Sequence, residues 1–310
     1  MKTFKAKTFI QLFLFAIFLT GCNNLFYYPD SVIQITPDRL NLAFTDFTIK
    51  TADNEELHGW KIKAKGQIPI ATILHFHGNA QNITTHFMYC AWLAENGFDV
   101  IEFDYRGYGK STGEASRTGI YQDSVSFLQW AYENSRTKDN FIIAQSLGGA
   151  VVIPAFADNE KNNVQAIILD STFASYRGIA RQKLASIWLT WPLQWPLSFL
   201  VSDNLSPIDY IKNVHVPLVF IHSKNDNVVP FESGKELFDT ALEPKEFWDV
   251  EWDGHVSAFV HKDDKYRRKL LKYLCSHLKN PNKMCTKYLN ENSQTLPYIR
   301  LLPELINKNK

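Results

Sequence analysis

The chain has 310 residues, 45% of them hydrophobic, which is enough to bury one large core without a division into two domains. Its 33 Lys and Arg residues balance its 32 Asp and Glu residues, so no strong overall field attracts nucleic acid. The composition therefore argues against a nucleic-acid partner, and other partners have to be inferred from local features.

The first residues have the features of a bacterial export signal. Three lysines precede the apolar run Phe9–Phe18, which is too short to span a bilayer comfortably. The run ends in Leu19-Thr20-Gly21-Cys22, which resembles the lipobox, where a peptidase cuts before a cysteine whose thiol carries diacylglycerol. Residues 1–21 are therefore predicted to be a lipoprotein signal peptide, with Cys22 as the lipidated N-terminus of the mature protein.

Attachment through Cys22 makes the membrane a predicted partner. Several acyl chains on one residue anchor a protein durably, because a single chain gives only reversible binding. Asn23 follows the cysteine instead of Asp. By resemblance to the sorting rule of enteric bacteria, this favours the outer membrane, facing the periplasm, over the inner membrane. An ordinary secretory signal, or a short anchor helix with a chance cysteine, is the alternative.

The middle of the chain predicts an α/β architecture. Residues 22–43 are predicted to be a lipidated tether, and two β-rich runs joined by a turn-like tetrapeptide then predict a hairpin over Phe44–Lys50 and Leu57–Lys63. Downstream, compact apolar runs alternate with longer segments of helical spacing, which predicts a mainly parallel, doubly wound sheet. These runs are Ala71–Phe76, Asp99–Phe103, Phe141–Ala144, Ala166–Leu169, Leu218–Ile221 and Phe247–Trp252.

Apolar residues at helical spacing predict two helices that cover the faces of this sheet. The apolar face of the first helix consists of Ile120, Phe127, Leu128 and Ala131. That of the second consists of Tyr266, Leu270, Leu274 and Leu278. The alternation stops between Phe173 and Pro207, where large apolar residues dominate and two prolines argue against a membrane span. The main domain is predicted over residues 44–279, followed by a polar tail over residues 280–310.

Export would allow disulfides to persist. Cys275 and Cys285 flank a predicted turn, but whether they bond stays open, because sequence does not give the Cα separation that bonding requires. Cys90 is predicted to be a small buried hydrophobe.

A candidate nucleophile follows the third parallel strand of the pattern. Ser146 stands between Ala144-Gln145 and Leu147-Gly148, after an apolar run and before a small, apolar segment. A strand that turns sharply into a helix at a serine has the geometry of a nucleophile elbow. Ala144 replaces the usual first glycine, and an ordinary strand-to-helix turn is the alternative.

Two further residues complete a possible catalytic triad. Asp226 follows the strand Leu218–Ile221, and His255 follows the strand Phe247–Trp252. The order Ser146, Asp226, His255, each at the carboxyl end of a predicted strand, resembles the α/β-hydrolase superfamily and in particular its serine aminopeptidase-like and lysophospholipase-like branches. The resemblance implies an α/β-hydrolase fold in which these three residues form the triad.

Other segments extend the resemblance over about residues 44–278. His77-Gly78-Asn79-Ala80 looks like the oxyanion loop of serine hydrolases, and residues 104–111 look like their Asp-x-Arg-Gly-x-Gly-x-Ser segment. The apolar stretch at residues 173–207 lies where the family inserts a cap. His75 and His77 alternate along a strand, but no third ligand follows at a suitable spacing, so no metal site is expected.

The resemblance implies acyl transfer without a cofactor. Ser146 would attack an acyl carbonyl, His255 would take its proton, and the N–H groups of Leu147 and Asn79 would bind the oxyanion. The predicted reaction is hydrolysis of a carboxylic ester or thioester of a small acyl or lipid-like substrate. An amidase or aminopeptidase with the same triad, and a non-catalytic envelope binding protein of the same fold, are the alternatives. The cap would either line an acyl pocket or simply pack on its own domain.

The lipobox generates a testable prediction. If Cys22 is lipidated, the mature protein partitions into the detergent phase, while Cys22→Ser stays uncleaved or in the aqueous phase. Phase separation and the mass of the processed N-terminus measure both effects. Normal processing of the variant with unchanged detergent partitioning would contradict the assignment.

Overall fold

The computed structural model describes residues 26–66, 68–161 and 163–290, so the predicted signal peptide, Cys22 and the last twenty residues lie outside the described residues. One eight-stranded sheet organises them, in the order β1-β2-β4-β3-β5-β6-β7-β8. The strands are β1 Phe44–Lys50, β2 Glu56–Ile62, β3 Thr72–Phe76, β4 Asp99–Phe103, β5 Asn140–Gln145, β6 Val164–Asp170, β7 Leu218–Ser223 and β8 Lys245–Val250.

The pairing confirms the predicted α/β-hydrolase fold. β1 and β2 form an antiparallel hairpin, and β2 pairs antiparallel with β4. From β4 onward every neighbouring pair is parallel. The inner parallel strands are buried along their whole length because helices cover both faces, which explains their continuous apolar runs. The carboxyl ends of β3 and β5–β8 therefore meet along one edge of the sheet.

Ten α-helices accompany this sheet within the described residues: α1 Ile83–His86, α2 Met88–Glu95, α3 Arg117–Asn134, α4 Leu147–Ala157, α5 Tyr176–Ala185, α6 Gln194–Ser198, α7 Pro207–Tyr210, α8 Phe231–Thr240, α9 Lys265–Ser276 and α10 Lys283–Asn290. The predicted apolar faces of α3 and α9 are buried in two different core layers, one on each side of the sheet. None of the helices that the structure describes is long and apolar enough to cross a membrane.

The segment before β1 packs against the carboxyl edge of the sheet. Tyr27 is buried, and the side-chain amide of Asn82 donates to the carbonyl oxygens of Asp30 and Val32. The N–H of Gly109 also donates to the carbonyl of Asp30, at 2.9 Å. Residues 26–32 thus form part of the wall around the loops that follow β3 and β4.

A disulfide closes the other end of the described chain. Cys275 in α9 is bonded to Cys285 in α10, with their Cα atoms 5.2 Å apart. The hydroxyl of Tyr288 donates to the side-chain oxygen of Asn96, which follows α2. Both contacts hold α10 against the main domain.

The disulfide generates a second prediction. Replacing both cysteines by serine removes a cross-link across a sequence separation of 10 residues, which should lower the free energy of unfolding by about 2–3 kcal/mol because the unfolded chain regains loop entropy. Denaturant unfolding under oxidising conditions measures the loss. Adding a reductant should lower the wild-type value to that of the double variant and leave the variant unchanged; equal stability of the two oxidised proteins would contradict the prediction.

Candidate active site

Ser146 occupies the turn between β5 and α4 in a strained conformation. Its φ of 50° and ψ of −110° lie outside the regions that non-glycine residues adopt readily. The N–H of Ser146 donates to the carbonyl of Asp170 at the end of β6, at 2.8 Å. Leu147 begins α4, so its N–H belongs to the first turn, where helix donors have no intrahelical partner.

The small residues around Ser146 explain how the turn fits. A Cβ atom on Gly148 would lie 2.1 Å from the carbonyl oxygen of Phe76, so this position has room only for glycine. Ala144, two residues before the serine, is fully buried between Phe76 of β3 and Leu169 of β6, where its methyl group is accommodated. The departure from the usual glycine therefore leaves the strand-to-helix turn intact.

The structure brings Asp226 and His255 together beside this turn. His255 Nδ1 lies 2.8 Å from Asp226 Oδ2, and Asp226 Oδ1 accepts from the N–H groups of Val228 and Val229 at 2.8 and 3.0 Å. Burial raises the pKa of Asp226, but the hydrogen bond and charge of His255 and the two backbone donors outweigh it, so the pKa stays below its ordinary value. An ionised Asp226 places the imidazole proton on Nδ1 and leaves Nε2 as an acceptor.

Ser146 and His255 line one cavity of about 690 Å³. In the described part of the chain, no hydrogen bond joins the Ser146 hydroxyl to His255, and catalytic contacts of this kind tighten when substrate binds. Asn79 and Leu147 line the same cavity. Much of the remaining lining is apolar and comes from the cap region, with Leu184, Ile187, Leu197, Leu200 and Val201.

The side chain of Asn79 links the loop after β3 to the N-terminal segment. Its Nδ2 donates to the carbonyl of Phe26 at 2.6 Å, and its Oδ1 accepts from the N–H of Tyr28 and the hydroxyl of Tyr108. These three bonds fix the residue whose N–H was predicted to bind the oxyanion. The next residue, Ala80, has a φ of 62°, so the loop turns sharply at this point.

The segment after β4 supports the loop that carries Asn79. The hydroxyl of Tyr105 donates to the carbonyl of His77 at 3.1 Å, and the carboxylate of Asp104 accepts from the N–H of Ile83 at 2.8 Å. Arg106 is held by Asp123 in α3 through bonds of 2.8–3.1 Å. The Asp-x-Arg-Gly-x-Gly-x-Ser segment thus acts as a scaffold beneath the predicted oxyanion loop.

His75 in β3 and His77, directly after β3, are used in packing. His75 Nδ1 lies 2.8 Å from Glu102 and its Nε2 lies 2.9 Å from Gln145, the residue before the candidate nucleophile. His77 Nδ1 lies 2.7 Å from the carbonyl of Gly78. Burial lowers the pKa of both histidines, which keeps them neutral. They connect the core of the sheet to the turn at Ser146.

Asp170 and Ser171 were not among the residues predicted from the sequence. Ser171 Oγ accepts from the N–H of Val256, next to His255, and donates to Asp170 Oδ1 at 2.9 Å. The hydroxyl of Tyr89 donates to the other oxygen of Asp170. Asp170 therefore positions both the Ser146 turn and the His255 loop. The position of Asp170 directly after the predicted strand Ala166–Leu169 could have indicated that it belongs to the site.

Comparison with known proteins identifies the family. Residues 67–206 match the family model described as serine aminopeptidase, S33. The uncharacterized protein YfhR of Escherichia coli (strain K12) is 35% identical over 266 residues, which cover 84% of this chain and 89% of YfhR. The chain belongs to the α/β-hydrolase superfamily. The triad candidates of this α/β-hydrolase follow the chain order that is typical of the superfamily, and each comes after a strand of the sheet.

More distant likenesses agree with this assignment. Lysophosphatidylserine lipase ABHD12 of Xenopus tropicalis is 28% identical over 234 residues, which cover 72% of this α/β-hydrolase and 58% of the lipase. The Pyrococcus furiosus esterase Pf2001 superposes with a TM-score of 0.66 at 23% identity, over 81% of this chain and 97% of the esterase. The second likeness establishes the fold. The protein is a hydrolase of the α/β-hydrolase type.

The buried carboxyl of Asp170 generates a third prediction. Burial raises its pKa from 3.8 to about 6, although the bonds from Tyr89 and Ser171 oppose the shift. Because the folded state then holds the proton more tightly than the unfolded chain, this group's contribution to stability is complete below about pH 4 and is lost as the pH rises to about 6. The unfolding free energy of Asp170→Asn minus that of the wild type should therefore rise by roughly 3 kcal/mol between pH 4 and pH 7.

Denaturant unfolding across this pH range measures the difference. Gln129→Ala is the matched control, since the exposed Gln129 carries no ionisable group, and its difference from the wild type should stay flat. A difference for Asp170→Asn that is equally flat would contradict the prediction.

Proposed function

We propose that this protein is a membrane-anchored serine hydrolase that cleaves a carboxylic ester or thioester through an acyl-enzyme intermediate on Ser146. The observation that supports this best is the 2.8 Å hydrogen bond between His255 Nδ1 and Asp226 Oδ2, on the wall of the cavity that Ser146 also lines. Three separate loops contribute these residues, and their functional groups match the requirements of one reaction.

In the first step, Ser146 Oγ attacks the acyl carbonyl while His255 Nε2 accepts its proton. Asp226 holds the imidazole in the tautomer that leaves Nε2 free, and its negative charge stabilises the imidazolium that forms. Its two backbone donors keep the carboxylate in place during this step.

The oxyanion of the tetrahedral intermediate needs donors that are already in position. The N–H groups of Leu147 and Asn79 serve this purpose in the proposal, and the first turn of α4 adds the positive end of its dipole. His255 then gives its proton to the leaving alkoxide or thiolate. Water attacks the acyl-enzyme with His255 as the base, and the cycle requires no cofactor.

The lining of the cavity supports an acyl substrate. Sixteen of its residues carry apolar or aromatic side chains, and the relative ABHD12, named a lysophosphatidylserine lipase, favours a lipid-like ester. The family description as serine aminopeptidase favours the second candidate, an amidase or aminopeptidase. An aminopeptidase has to bind a cationic amine, and among the described lining residues there is no carboxylate to pair with it. This favours the ester.

Anchoring through Cys22, at the outer membrane and facing the periplasm, completes the proposal. The disulfide between Cys275 and Cys285 supports export, since disulfides persist in the periplasm and are rare in the cytosol.

The proposed triad makes the fourth prediction. Ser146→Ala should abolish labelling by a fluorophosphonate and reduce short-chain p-nitrophenyl ester hydrolysis by about a millionfold, because no acyl-enzyme can form. His255→Ala should be nearly as severe. Asp226→Asn should lose roughly ten thousandfold in kcat while staying folded, since only the orientation and charge stabilisation of the imidazole fail.

Ser126→Ala, on the surface-facing part of α3, is the matched control and should label normally. Circular dichroism verifies the fold of each variant. Normal labelling of a folded Ser146→Ala protein would place the nucleophile elsewhere. Comparing kcat/KM for a p-nitrophenyl ester and an aminoacyl p-nitroanilide separates the two candidate activities, with the ester expected to be the better substrate.

A further inference from the structure

The cap presents an unusually apolar surface to solvent. Residues 184–202 contain no ionisable side chain. Eight large apolar residues within this run are more than half exposed; we call them the cap patch: Ile187, Trp188, Leu189, Trp191, Leu193, Trp195, Phe199 and Leu200. They are half of the sixteen exposed large hydrophobic residues in the described part of the chain. Such clustering marks a contact surface, since scattered exposed hydrophobics are normal but large patches are not.

The cap patch borders the cavity that contains Ser146. Ile187 and Leu200 belong to the patch and also line the cavity, and Leu184 and Leu197 of the same run line it as well. The cap patch and the cavity lining therefore share residues, so an apolar molecule on the patch lies next to the largely apolar lining of the cavity that contains the candidate nucleophile.

The proposed anchor holds this surface close to a bilayer. Phe26 lines the same cavity and packs edge-to-face on Tyr176 of the cap, with ring centroids 5.7 Å apart. Cys22 precedes Phe26 by four residues, and even a fully extended chain of that length spans at most about 14 Å. A lipid on Cys22 thus keeps Phe26, and with it the cavity that Phe26 lines, within about 14 Å of the lipid anchor.

Cations flank the patch in the arrangement that suits a membrane interface. The guanidinium of Arg181 lies 4.2 Å from the ring centroid of Trp195, and that of Arg177 lies 5.3 Å from Phe199. Lys183 is exposed on α5 and also lines the cavity. Asp203 pairs with Arg177 at 3.9 Å and offsets part of this charge. Tryptophans beside long cationic side chains are typical of the headgroup region.

We propose that the cap patch docks on the surface of the lipid bilayer and that acyl substrates enter the cavity directly from the membrane. The inference rests on the proposed function, because it takes the lipid on Cys22 and the hydrolase site at Ser146 as given. The bilayer is the expected occupant, rather than a second copy of the chain, because the short tether places the patch there.

Fluorescence quenching tests the docking. The full-length lipoprotein is reconstituted into phosphatidylcholine vesicles that contain lipids brominated near the headgroup. Of its eight tryptophans, three lie in the cap patch, and the other five are buried or half-buried elsewhere. Bromolipids should quench the wild type and leave W188F/W191F/W195F essentially unquenched, because the phenylalanines keep the patch apolar while removing its fluorophores.

A functional comparison tests substrate entry. W188S/W191S/W195S should hydrolyse a soluble short-chain ester at the wild-type rate, since none of these side chains lines the cavity that contains Ser146. Hydrolysis of a monoacyl phospholipid embedded in vesicles should fall roughly tenfold or more, because the patch no longer enters the interface. I68S/L242S is the matched control: both residues are exposed and precede the amino ends of β3 and β8, at the edge of the sheet opposite Ser146.

The possible outcomes separate the two proposals. Equal fractional quenching of the wild type and the phenylalanine variant overturns the docking, while fluorophosphonate labelling of Ser146 still supports the hydrolase. Patch-dependent quenching without any labelling supports docking and removes the proposed chemistry. A dimer that depends on the three tryptophans, with no quenching, assigns the patch to a second copy and overturns the proposal.

Discussion

The close approach of the Ser146 turn to the backbone of β3 is the constraint on which the rest of the site depends. Gly148 has no room for a side chain against the carbonyl of Phe76, and Ser146 itself adopts a φ of 50°. A serine leaves its preferred regions only where its surroundings enforce the conformation. The bond from its N–H to the carbonyl of Asp170 and the burial of Ala144 provide that enforcement. In the proposed reaction, a serine held in this way needs no further rearrangement of its backbone.

The same edge of the sheet concentrates buried polar groups that are not part of the proposed triad. The backbone carbonyl of Asp170 accepts from the N–H of Ser146, and its carboxyl accepts from Ser171, which in turn bonds the loop of His255. His75 contacts Gln145, the residue before Ser146. Polar groups in a core destabilise the protein unless they are hydrogen-bonded, and here each of them contacts a segment of the site. Burial of these polar groups costs stability, but their hydrogen bonds fix the positions of several loops.

Much of this fold could be predicted from the sequence because its signals are local. Continuous apolar runs such as Ala71–Phe76 indicate strands buried on both faces, and the helical spacing of α3 and α9 indicates the layers that cover them. Ser146, Asp226 and His255 could be selected because each stands within a few residues of the carboxyl end of a predicted strand. The packing of residues 26–32 against Asn79 and Asn82 could not, since hydrogen bonds across about fifty residues leave no periodic pattern. The short helix α10 could not be predicted either, because it lies in a polar segment that is held by the disulfide and by the hydrogen bond of Tyr288.

The contact between Asn79 and the N-terminal segment changes how a shortened form of the protein should be regarded. The carbonyl of Phe26 and the N–H of Tyr28 are both satisfied by one side-chain amide in the loop that follows β3. A recombinant chain that starts after Tyr28 would leave that amide without two of its partners, and the loop would gain conformational freedom. Weak activity of such a fragment would reflect the loss of the hydrogen bonds that hold this loop. The hydrolase activity of the protein should therefore be measured on a chain that retains residues 26–28.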